Sequence, residues 1–382
     1  MKILFYCQHL LGMGHYVRSL ALIRGLREHR VYFVNGGVPI REMPPPADVF
    51  TLQLPPIQCD AQFSELQMSD AQNVQQQRVE HLLELQRTVQ PNVIVIELFP
   101  FGRKKFEFEL LPLLESNLAT PQPAKVVCSL RDILVKKADP AKFEERVCRL
   151  VNRFFDVILV HADPQMQTLA ESFSRIDDLR AEIHYTGYVV SQNGISPEEP
   201  PPGSKSDDLK ITVSAGGGRV GFPLLKTAAQ ALKKLDSTRP LTMTLVTGPF
   251  LPKEQRWQLQ LLTVDEPRLR VKTFVPNLCQ TLTQADLSIS MAGYNTCLDI
   301  LQAGVRALLV PFNGGGNDEQ LRRARALSHL GAASVLHPHK LTAHNLARAI
   351  DAALNSSLHK VKLNLNGVQV TRKIVGQLTQ LN

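Results

Sequence analysis

A glycine turn that opens a helix carries the clearest potential for binding chemistry, at Ala292, Gly293, Asn295 and Thr296. The first backbone N–H groups of a helix lack partners within it, and the helix dipole is positive there, so this turn can hold a phosphate. Asp299 follows Thr296 by one turn, about 5 Å deeper on the same face. A carboxylate at that depth can accept hydrogen bonds from both ribose hydroxyls. Phosphate and ribose together predict a nucleotide site.

A second turn, 314–316, consists of glycines and leads into Asn317, Asp318, Glu319 and Gln320. Glycines let the backbone pass close to a ligand, and the acid and the amide that follow match sugar hydroxyls. A structural explanation stays open for this turn, because Asn317 and Gln320 also form a good capping box, which needs no ligand. The two turns in tandem favour a nucleotide sugar.

The block from Phe274 to Gln320 resembles the donor-binding half of GT-B nucleotide-sugar glycosyltransferases, especially the peptidoglycan N-acetylglucosaminyltransferases that form lipid II. The resemblance implies that Phe274 and Val275 lie at the donor, with the backbone of Val275 at the uracil edge. It also implies that Asp299 holds the ribose and that Glu319 and Gln320 hold the sugar. The lipid II enzymes have a longer Glu where this chain has Asp299, so the identity of the donor stays open.

A histidine follows the first predicted strand, in the segment Gly12-Met13-Gly14-His15. The positive end of a helix disfavours the imidazolium, so we expect a neutral ring near pH 7 that can act as a general base. Resemblance to the histidine of GT-B enzymes implies that His15 faces the cleft between domains and takes the proton of an acceptor hydroxyl. Gly14 is a predicted donor contact. A histidine that only caps or packs the turn is the alternative.

Arg131 and Asp132 follow another predicted strand of the first half, which makes them candidates for contact with the acceptor, on whose side we place them, or with the diphosphate. An internal salt bridge is the commoner explanation for such a pair. Leu10 and Leu11 stand where the lipid II enzymes have further glycines, so the acceptor contacts of those enzymes are not carried over.

The turn 214–221 has glycines at the spacing of a dinucleotide fingerprint, which raises an NAD enzyme as an alternative. The strand that follows ends at Thr247 without the acid that would bind the ribose of NAD. We therefore predict that Gly217 and Gly218 donate N–H groups to a diphosphate, with Arg219 either adding charge or standing in solvent. The chain has no Asp-x-Asp pair, so we expect no metal, and helix N-termini would balance the charge of the leaving group.

Composition limits the partners of this 382-residue chain. A net charge of +8 favours anionic partners, but only 6% of residues are aromatic and no basic run interleaves with them, so nucleic acid is not expected. No apolar run is long enough to span a membrane, and the N-terminus reads as a buried strand instead of a signal peptide, which predicts a cytoplasmic protein. A basic start at Phe101 to Phe106 before an apolar helix offers peripheral contact with an anionic membrane, although a core-facing helix is commoner. The oligomeric state stays open.

Short β-rich runs alternate with helical stretches in both halves of the chain. They include Lys2 to Cys7, Arg30 to Asn35, Val93 to Glu97, Leu209 to Ser214 and Arg270 to Phe274. Such alternation predicts an α/β fold with two Rossmann-like domains facing across a cleft, which is the GT-B architecture. We place an acceptor domain at 1–190, a Pro- and Ser-rich linker at 191–208, a donor domain at 209–369, and a C-terminal helix at 370–382 that returns to the first domain.

These inferences predict a metal-independent glycosyltransferase that moves a sugar from a nucleotide diphosphate sugar, UDP-linked by the resemblance, to a hydroxyl acceptor. The donor is a substrate, and no further cofactor is expected. A nucleotide-sugar hydrolase or epimerase of the same fold is one alternative, because such hydrolases have a Gly-x-Gly-His-x-x-Arg opening like that of Gly12 to Arg18. A noncatalytic nucleotide-sugar binding subunit is the other.

Overall fold

A computed structural model describes residues 1–10, 13–59, 66–67, 71–135, 137–190, 208–236, 240–312, 314, 318–357 and 361–378. The chain divides into two compact units. The first comprises Met1–Leu11, His15–Ser191 and Leu363–Asn382, and the second comprises Gly12–Gly14 and Gln192–Lys362. Apart from Asp208, the predicted linker lies outside the described residues, as do Gly12, Gly315, Gly316 and Asn317.

The strands are β1 (Lys2–Cys7), β2 (Arg30–Asn35), β3 (Phe50–Gln53), β4 (Gln58–Cys59), β5 (Leu66–Gln67), β6 (Val93–Glu97), β7 (Lys125–Arg131), β8 (Val157–His161), β9 (Glu182–Tyr185), β10 (Leu209–Ser214), β11 (Leu241–Val246), β12 (Leu269–Lys272), β13 (Leu287–Ser290), β14 (Arg306–Leu309) and β15 (Ser334–Val335). The α-helices are α1 (Gly14–Gly25), α2 (Ala71–Val89), α3 (Glu107–Leu118), α4 (Pro140–Phe154), α5 (Phe222–Leu232), α6 (Lys253–Leu261), α7 (Leu278–Thr283), α8 (Tyr294–Ala303), α9 (Glu319–His329), α10 (Ala343–Leu354) and α11 (Gly367–Gln377).

The first unit is built on a seven-stranded parallel sheet in the order β3-β2-β1-β6-β7-β8-β9. Every residue of β6 and β8 is buried, and both strands are apolar up to a polar last residue, Glu97 and His161. Such runs are typical of parallel strands covered by helices on both faces. The sheet therefore brings its few buried polar side chains to its carboxyl edge.

The second unit has a six-stranded parallel sheet in the order β12-β11-β10-β13-β14-β15. Its core includes Val213, Leu245 and Ile289 from adjacent strands, with apolar residues of α5 and α10 packed on them. The prediction of two parallel, Rossmann-like α/β domains is confirmed.

In each sheet the strand order reverses at one point, between β1 and β6 in the first unit and between β10 and β13 in the second. The two connections that leave such neighbouring strands run to opposite faces of the sheet, which opens a crevice at the carboxyl ends. His15 follows β1 and Glu97 ends β6, whereas Gly218 follows β10 and Gly293 follows β13. The predicted residues His15, Gly218 and Gly293 therefore lie at the two switch points.

Some predicted bounds differ from the structure. The strands at Lys2 to Cys7, Arg30 to Asn35, Val93 to Glu97 and Leu209 to Ser214 agree residue by residue, but β12 ends at Lys272, not at Phe274. Phe274 and Val275 consequently lie in the loop before α7, and both are partly exposed.

The last described helix, α11, begins three residues before the predicted position and belongs to the first unit. Val368 packs against Gly25 on α1, where an added Cβ would lie 2.2 Å from Val368 Cγ1. Arg372 pairs with Glu28 near the end of α1.

The apolar face of α3 is part of the core, because Leu110, Leu113 and Leu114 are buried. The helix that follows the basic segment at 101–106 therefore faces the core, as in the commoner of the two explanations, and its buried apolar face is not available to a membrane. Among the described residues, no helix combines the length and the apolarity that a membrane crossing requires.

Candidate active site

His15 is held by a buried carboxylate that the sequence reasoning missed. The ring nitrogen Nδ1 lies 2.5 Å from Glu97 Oε1. Glu97 also accepts a hydrogen bond from Arg18, one turn along α1. Because β6 pairs with β1, the last residue of β6 comes within reach of the helix that follows β1. The available signal was a lone glutamate at the end of an otherwise apolar strand.

Burial is the main influence on the ionisation of this pair. It lowers the pKa of His15 to about 3, and the charge of Arg103 adds to this effect while Glu97 opposes it. For Glu97, burial opposes ionisation, but His15, Arg18 and Arg103 together hold its pKa well below the ordinary value. At neutral pH the ring is therefore neutral and the carboxylate is charged. The cause differs from the predicted helix dipole.

The carboxylate decides which ring nitrogen carries the proton. An ionised Glu97 can only accept, so Nδ1–H of His15 donates to it and Nε2 keeps its lone pair. The side chain of His15 is 19% exposed, whereas that of Glu97 is fully buried. This arrangement suits a base that takes a proton on Nε2 while a fixed negative charge stabilises the imidazolium.

The two acceptor-side candidates lie at the end of β7, next to β6 in the sheet. Arg131 is the last residue of the strand and is partly exposed. Asp132 is buried, and its carboxylate accepts the N–H of Ile133 at 2.9 Å. The charge of Arg131 contributes to the lowered pKa of His15, so Arg131 belongs to the same electrostatic environment.

In the second unit, Gly293 is the residue before α8 and has an extended conformation, with φ −66° and ψ 150°. A glycine there has no side chain to occupy the first N–H groups of the helix, which leaves them for an anion. Asn295 and Thr296 lie in the first turn, and Thr296 is buried. Asp299 lies one turn further and is partly exposed, yet desolvation by its surroundings raises its pKa to about 7.

An arginine that the sequence reasoning missed joins the two predicted binding turns. Arg323 on α9 donates to the carbonyl of Ala292 and to Glu319 Oε1, each at 2.8 Å. Its guanidinium also lies 5.8 Å from the ring centroid of Tyr294. Glu319 is thereby tied to the turn before α8. Gln320 has a structural contact as well, because its Oε1 accepts the N–H of Phe312 at 2.9 Å.

The turn after β10 differs in part from its prediction. Gly218 has φ +91°, and a Cβ there would meet the carbonyl oxygen of Thr247 at 2.2 Å, so only glycine fits. Its N–H donates to Ala215 O at 3.1 Å, so donation from Gly218 to a diphosphate would require that bond to break. Arg219 is not simply solvated, because its guanidinium lies 5.7 Å from the ring centroid of Phe250.

The switch point of the second unit brings several predicted residues to one edge. Ser214 at the end of β10 is paired with Ser290 at the end of β13, so the turns that carry Gly217 and Gly293 leave the sheet side by side.

Gly14, a predicted donor contact, is the first residue of α1.

Comparison with known proteins agrees with this geometry. Residues 212–372 match the Glycosyltransferase family 28 C-terminal domain. The solved structure of MurG from Acinetobacter baumannii is 18% identical, with a TM-score of 0.59 over 100% of both chains. The calicheamicin glycosyltransferase CalG4 is 17% identical, with a TM-score of 0.59 over 98% of this chain and 94% of that one. The protein has the GT-B fold.

Among curated sequences, the UDP-N-acetylglucosamine--N-acetylmuramyl-(pentapeptide) pyrophosphoryl-undecaprenol N-acetylglucosamine transferase of Lactiplantibacillus plantarum is 26% identical over 159 residues. The match covers 42% of this chain and 43% of that protein, so the chain spans less than half of this relative. These comparisons confirm the predicted resemblance of this chain to the donor-binding half of GT-B glycosyltransferases. The family match begins at residue 212, after β10 has started, so it does not extend to His15 or Glu97.

Proposed function

We propose that this GT-B protein is a metal-independent glycosyltransferase, with a nucleotide diphosphate sugar as donor, a hydroxyl group as acceptor and His15 as general base. The observation that carries the proposal is the 2.5 Å contact between His15 and Glu97 at the switch point of the first unit. A neutral imidazole with a fixed tautomer, backed by a buried carboxylate, is what deprotonation of a hydroxyl nucleophile requires.

In the proposed reaction, the acceptor hydroxyl gives its proton to Nε2 of His15 as its oxygen bonds to the anomeric carbon of the sugar. The bond from that carbon to the diphosphate oxygen breaks, and the nucleoside diphosphate leaves with the electron pair. Glu97 stabilises the imidazolium that forms and so opposes the burial that lowers the basicity of the ring. The proton can then pass to solvent.

The second unit supplies the donor site in this proposal. Backbone N–H groups at Gly293, Asn295 and Thr296 would stabilise the charge of the leaving diphosphate, a task that metal ions perform in other transferases. Asp299 would bind the ribose and Val275 the base. The relative from Lactiplantibacillus plantarum has a UDP-linked donor in its name, which supports uridine as the base here.

Sugar recognition would come from Glu319 and Gln320 at the start of α9. Arg323 would act as a positioning residue, because its bonds to Ala292 and Glu319 hold the diphosphate turn and the sugar-binding helix in a constant relation. Phe274 and Arg219 would border the donor, and Arg131 with Asp132 would face the acceptor.

Donor binding and turnover test the proposal in two stages. A thermal-shift panel of uridine, thymidine, guanosine and adenosine diphosphates and their sugars identifies the donor, since a ligand that binds only the folded state raises Tm. Release of the nucleoside diphosphate from that donor is then measured with and without a panel of hydroxyl acceptors. The matched control for His15→Ala is His184→Ala, which removes an exposed histidine of the same unit.

Acceptor-dependent release that His15→Ala abolishes and His184→Ala retains would support the transferase. Sugar release without any acceptor, as fast as the best transfer, would indicate a hydrolase instead. Wild-type protein that binds a donor and never turns it over would indicate a noncatalytic binding subunit.

A further inference from the structure

Two glycine turns of the second unit, one after β10 and one after β11, are locked together. Gly248 has φ +83°, and a Cβ there would lie 2.4 Å from Gly216 O and 2.4 Å from the carbonyl carbon of Gly217, so only glycine fits. The N–H of Phe250 donates to Gly217 O at 2.9 Å. The segment that carries Phe250 is therefore fixed against the turn where we predict a diphosphate.

The turn after β10 uses two of its backbone donors internally. The N–H of Gly216 donates to Ser214 Oγ at 3.4 Å, and that of Gly218 donates to Ala215 O at 3.1 Å. Because these N–H groups are engaged within the turn, a charged side chain would have to supply much of the stabilisation of a diphosphate there. Arg219 is the next residue of the chain.

Arg219 is partly exposed, and an aromatic ring holds it in place of an acid. Its guanidinium carbon lies 5.7 Å from the centroid of the Phe250 ring, a distance typical of a cation–π contact. The guanidinium has no hydrogen bond or ion pair with any of the described residues. A ring face engages the charge without using any of the five N–H donors, so these donors remain for an anion.

Other arginines of this unit are bound by carboxylates. Arg268 donates to Glu266 at 2.9 Å, and Arg323 donates to Glu319 at 2.8 Å. Arg219 differs from both, because contact with a ring fixes the position of its charge and leaves its hydrogen-bonding capacity unused.

The segment that carries Phe250 is itself held on both sides of the ring. Arg256 on α6 donates to Pro249 O at 3.4 Å and to Leu251 O at 3.3 Å, the two carbonyls that flank Phe250. A ring on a fixed segment holds a guanidinium without having to be ordered when a ligand binds, and such preorganisation favours affinity.

We propose that Phe250 is a positioning residue of the donor site, whose ring holds the guanidinium of Arg219 where it binds the diphosphate of the donor. The role of Arg219 rests on the proposed function, and Phe250 acts only through Arg219. A guanidinium suits the tetrahedral oxygens of a diphosphate, which would accept the N–H donors that the ring leaves unused. Since the pair meets only the diphosphate, it should contribute nothing to recognition of the base or the ribose.

Inorganic pyrophosphate tests this pair without turnover, because it is a diphosphate that lacks both base and sugar. In calorimetric titration of the full-length protein, Arg219→Gln should weaken pyrophosphate binding by about tenfold or more, the loss of charge-assisted hydrogen bonds. Phe250→Leu should weaken it by about 3- to 30-fold, the range of a cation–π contact. Phe250→Tyr keeps the ring and should retain the wild-type affinity within about twofold.

The double variant Phe250→Leu/Arg219→Gln separates a positioning role from a structural one. If the ring acts through Arg219, Phe250→Leu should change the affinity by less than about twofold once residue 219 has lost its charge. Equal losses from Phe250→Leu in both backgrounds would overturn the positioning role. Equal pyrophosphate affinity in wild type and Arg219→Gln would overturn the contact with the diphosphate, and this comparison stands even where Phe250→Leu does not fold, because Arg219 is partly exposed.

Uridine diphosphate and uridine repeat the test with and without the diphosphate. The affinity of uridine diphosphate should follow the pyrophosphate series, and uridine should bind every variant alike. A parallel loss of uridine affinity in Arg219→Gln would overturn the assignment to the diphosphate. Equal affinity of the wild type for uridine and uridine diphosphate would overturn it as well.

A second cation–π pair of the same unit supplies matched controls, because Lys226 Nζ lies 5.9 Å from the ring centroid of Phe222 on α5. Lys226→Gln and Phe222→Leu should each change pyrophosphate affinity by less than about twofold, and losses as large as those of Arg219→Gln and Phe250→Leu would overturn the assignment. Pyrophosphate binding that depends on the pair, with no transferase activity, would refute only the proposed function. Transfer with pyrophosphate affinity unaffected by either variant would refute only the role of the pair.

Discussion

Two buried glutamates of the first unit are paired with arginines, and they differ in what remains open. Glu109 is enclosed: Arg78 binds both its oxygens, and the hydroxyl of Tyr6 donates to it as well. Arg78 also donates to Gly36 O at 3.0 Å and to Pro55 O at 2.7 Å. The polar side-chain atoms of Arg78 and Glu109 are therefore satisfied within the protein.

Glu97 is equally buried, but its network ends at the surface. One of its partners is His15, which is partly exposed, and another is Arg103, whose donors are incompletely used. The comparison teaches that burial of an ion pair does not by itself indicate function. A closed network holds the fold in one arrangement, whereas the open one leaves Nε2 of His15 available for the role of base that we propose.

The largest effect is expected from His15→Ala, which should impair turnover and leave stability almost unchanged. Loss of the base should lower kcat of transfer by about 10²- to 10⁴-fold, with Tm close to that of the wild type. Because burial keeps the pKa of His15 near 3, the wild-type kcat should show no acid limb near 6.5, the ordinary value for histidine. Steady-state kinetics from pH 5 to 9 measure both, and an acid limb near 6.5 that vanishes in His15→Ala would contradict the buried, neutral ring.

Glu109→Gln should act on stability and not on turnover. It leaves Arg78 buried without its counter-charge, so the free energy of unfolding should fall by about 3–5 kcal/mol. Urea denaturation measures this loss, and kcat per folded molecule should stay within about twofold of the wild type. A large fall in kcat at full folding would mean that Glu109 also serves the reaction.

Glu97→Gln should combine both effects. The amide cannot stabilise the imidazolium and can hold the ring in the wrong tautomer, so kcat should fall by at least about tenfold while KM for the donor stays near the wild-type value. The control is Glu182→Gln, which alters an exposed glutamate beside His184. If Glu97→Gln destabilises the protein and leaves kcat of the folded fraction unchanged, Glu97 is structural like Glu109.

Asp299 is a carboxylate of the second unit, and its substitution is expected to have the smallest effect, a pH-dependent change in Tm. Its folded-state pKa is raised from 3.8 to about 7, so ionisation opposes folding: its contribution to stability is full below pH 4 and is lost as pH rises through 7. Asp299→Asn should therefore raise Tm relative to the wild type at pH 8, and the difference should shrink by pH 5.

Donor binding should show the opposite trend with pH. An ionised Asp299 accepts hydrogen bonds from ribose more strongly, so wild-type affinity for uridine diphosphate should increase from pH 6 to 8, and Asp299→Asn should flatten that profile. Calorimetric titration measures it, with Asp351→Asn, an exposed position on α10, as the control. A profile that is the same in wild type and Asp299→Asn would remove Asp299 from the ribose site.

The sequence predicted most of what is local. Alternating apolar runs gave the bounds of β1, β2, β6 and β10, because strands buried on both faces have a clear signature. The glycine turn after a strand end indicated the start of α8. The close approach of the Gly218 backbone to Thr247 O is a finding of the structure alone. The sequence could not decide whether Arg219 adds charge at the diphosphate or stands in solvent, because its contact with the ring of Phe250 depends on packing between distant segments.

The amino-acid sequence by itself therefore determined two parallel α/β units, with His15 after one strand and the Gly293 turn after another. Only the tertiary structure decided that Glu97, 82 residues from His15, is its partner, and that Arg323 joins Ala292 to Glu319. The physical reason is strand order: four strands, β2 to β5, separate β1 from β6 in the chain, yet β6 pairs with β1 in the sheet. Contacts of that kind depend on how elements pack, and the local periodicity that defines each element does not contain them.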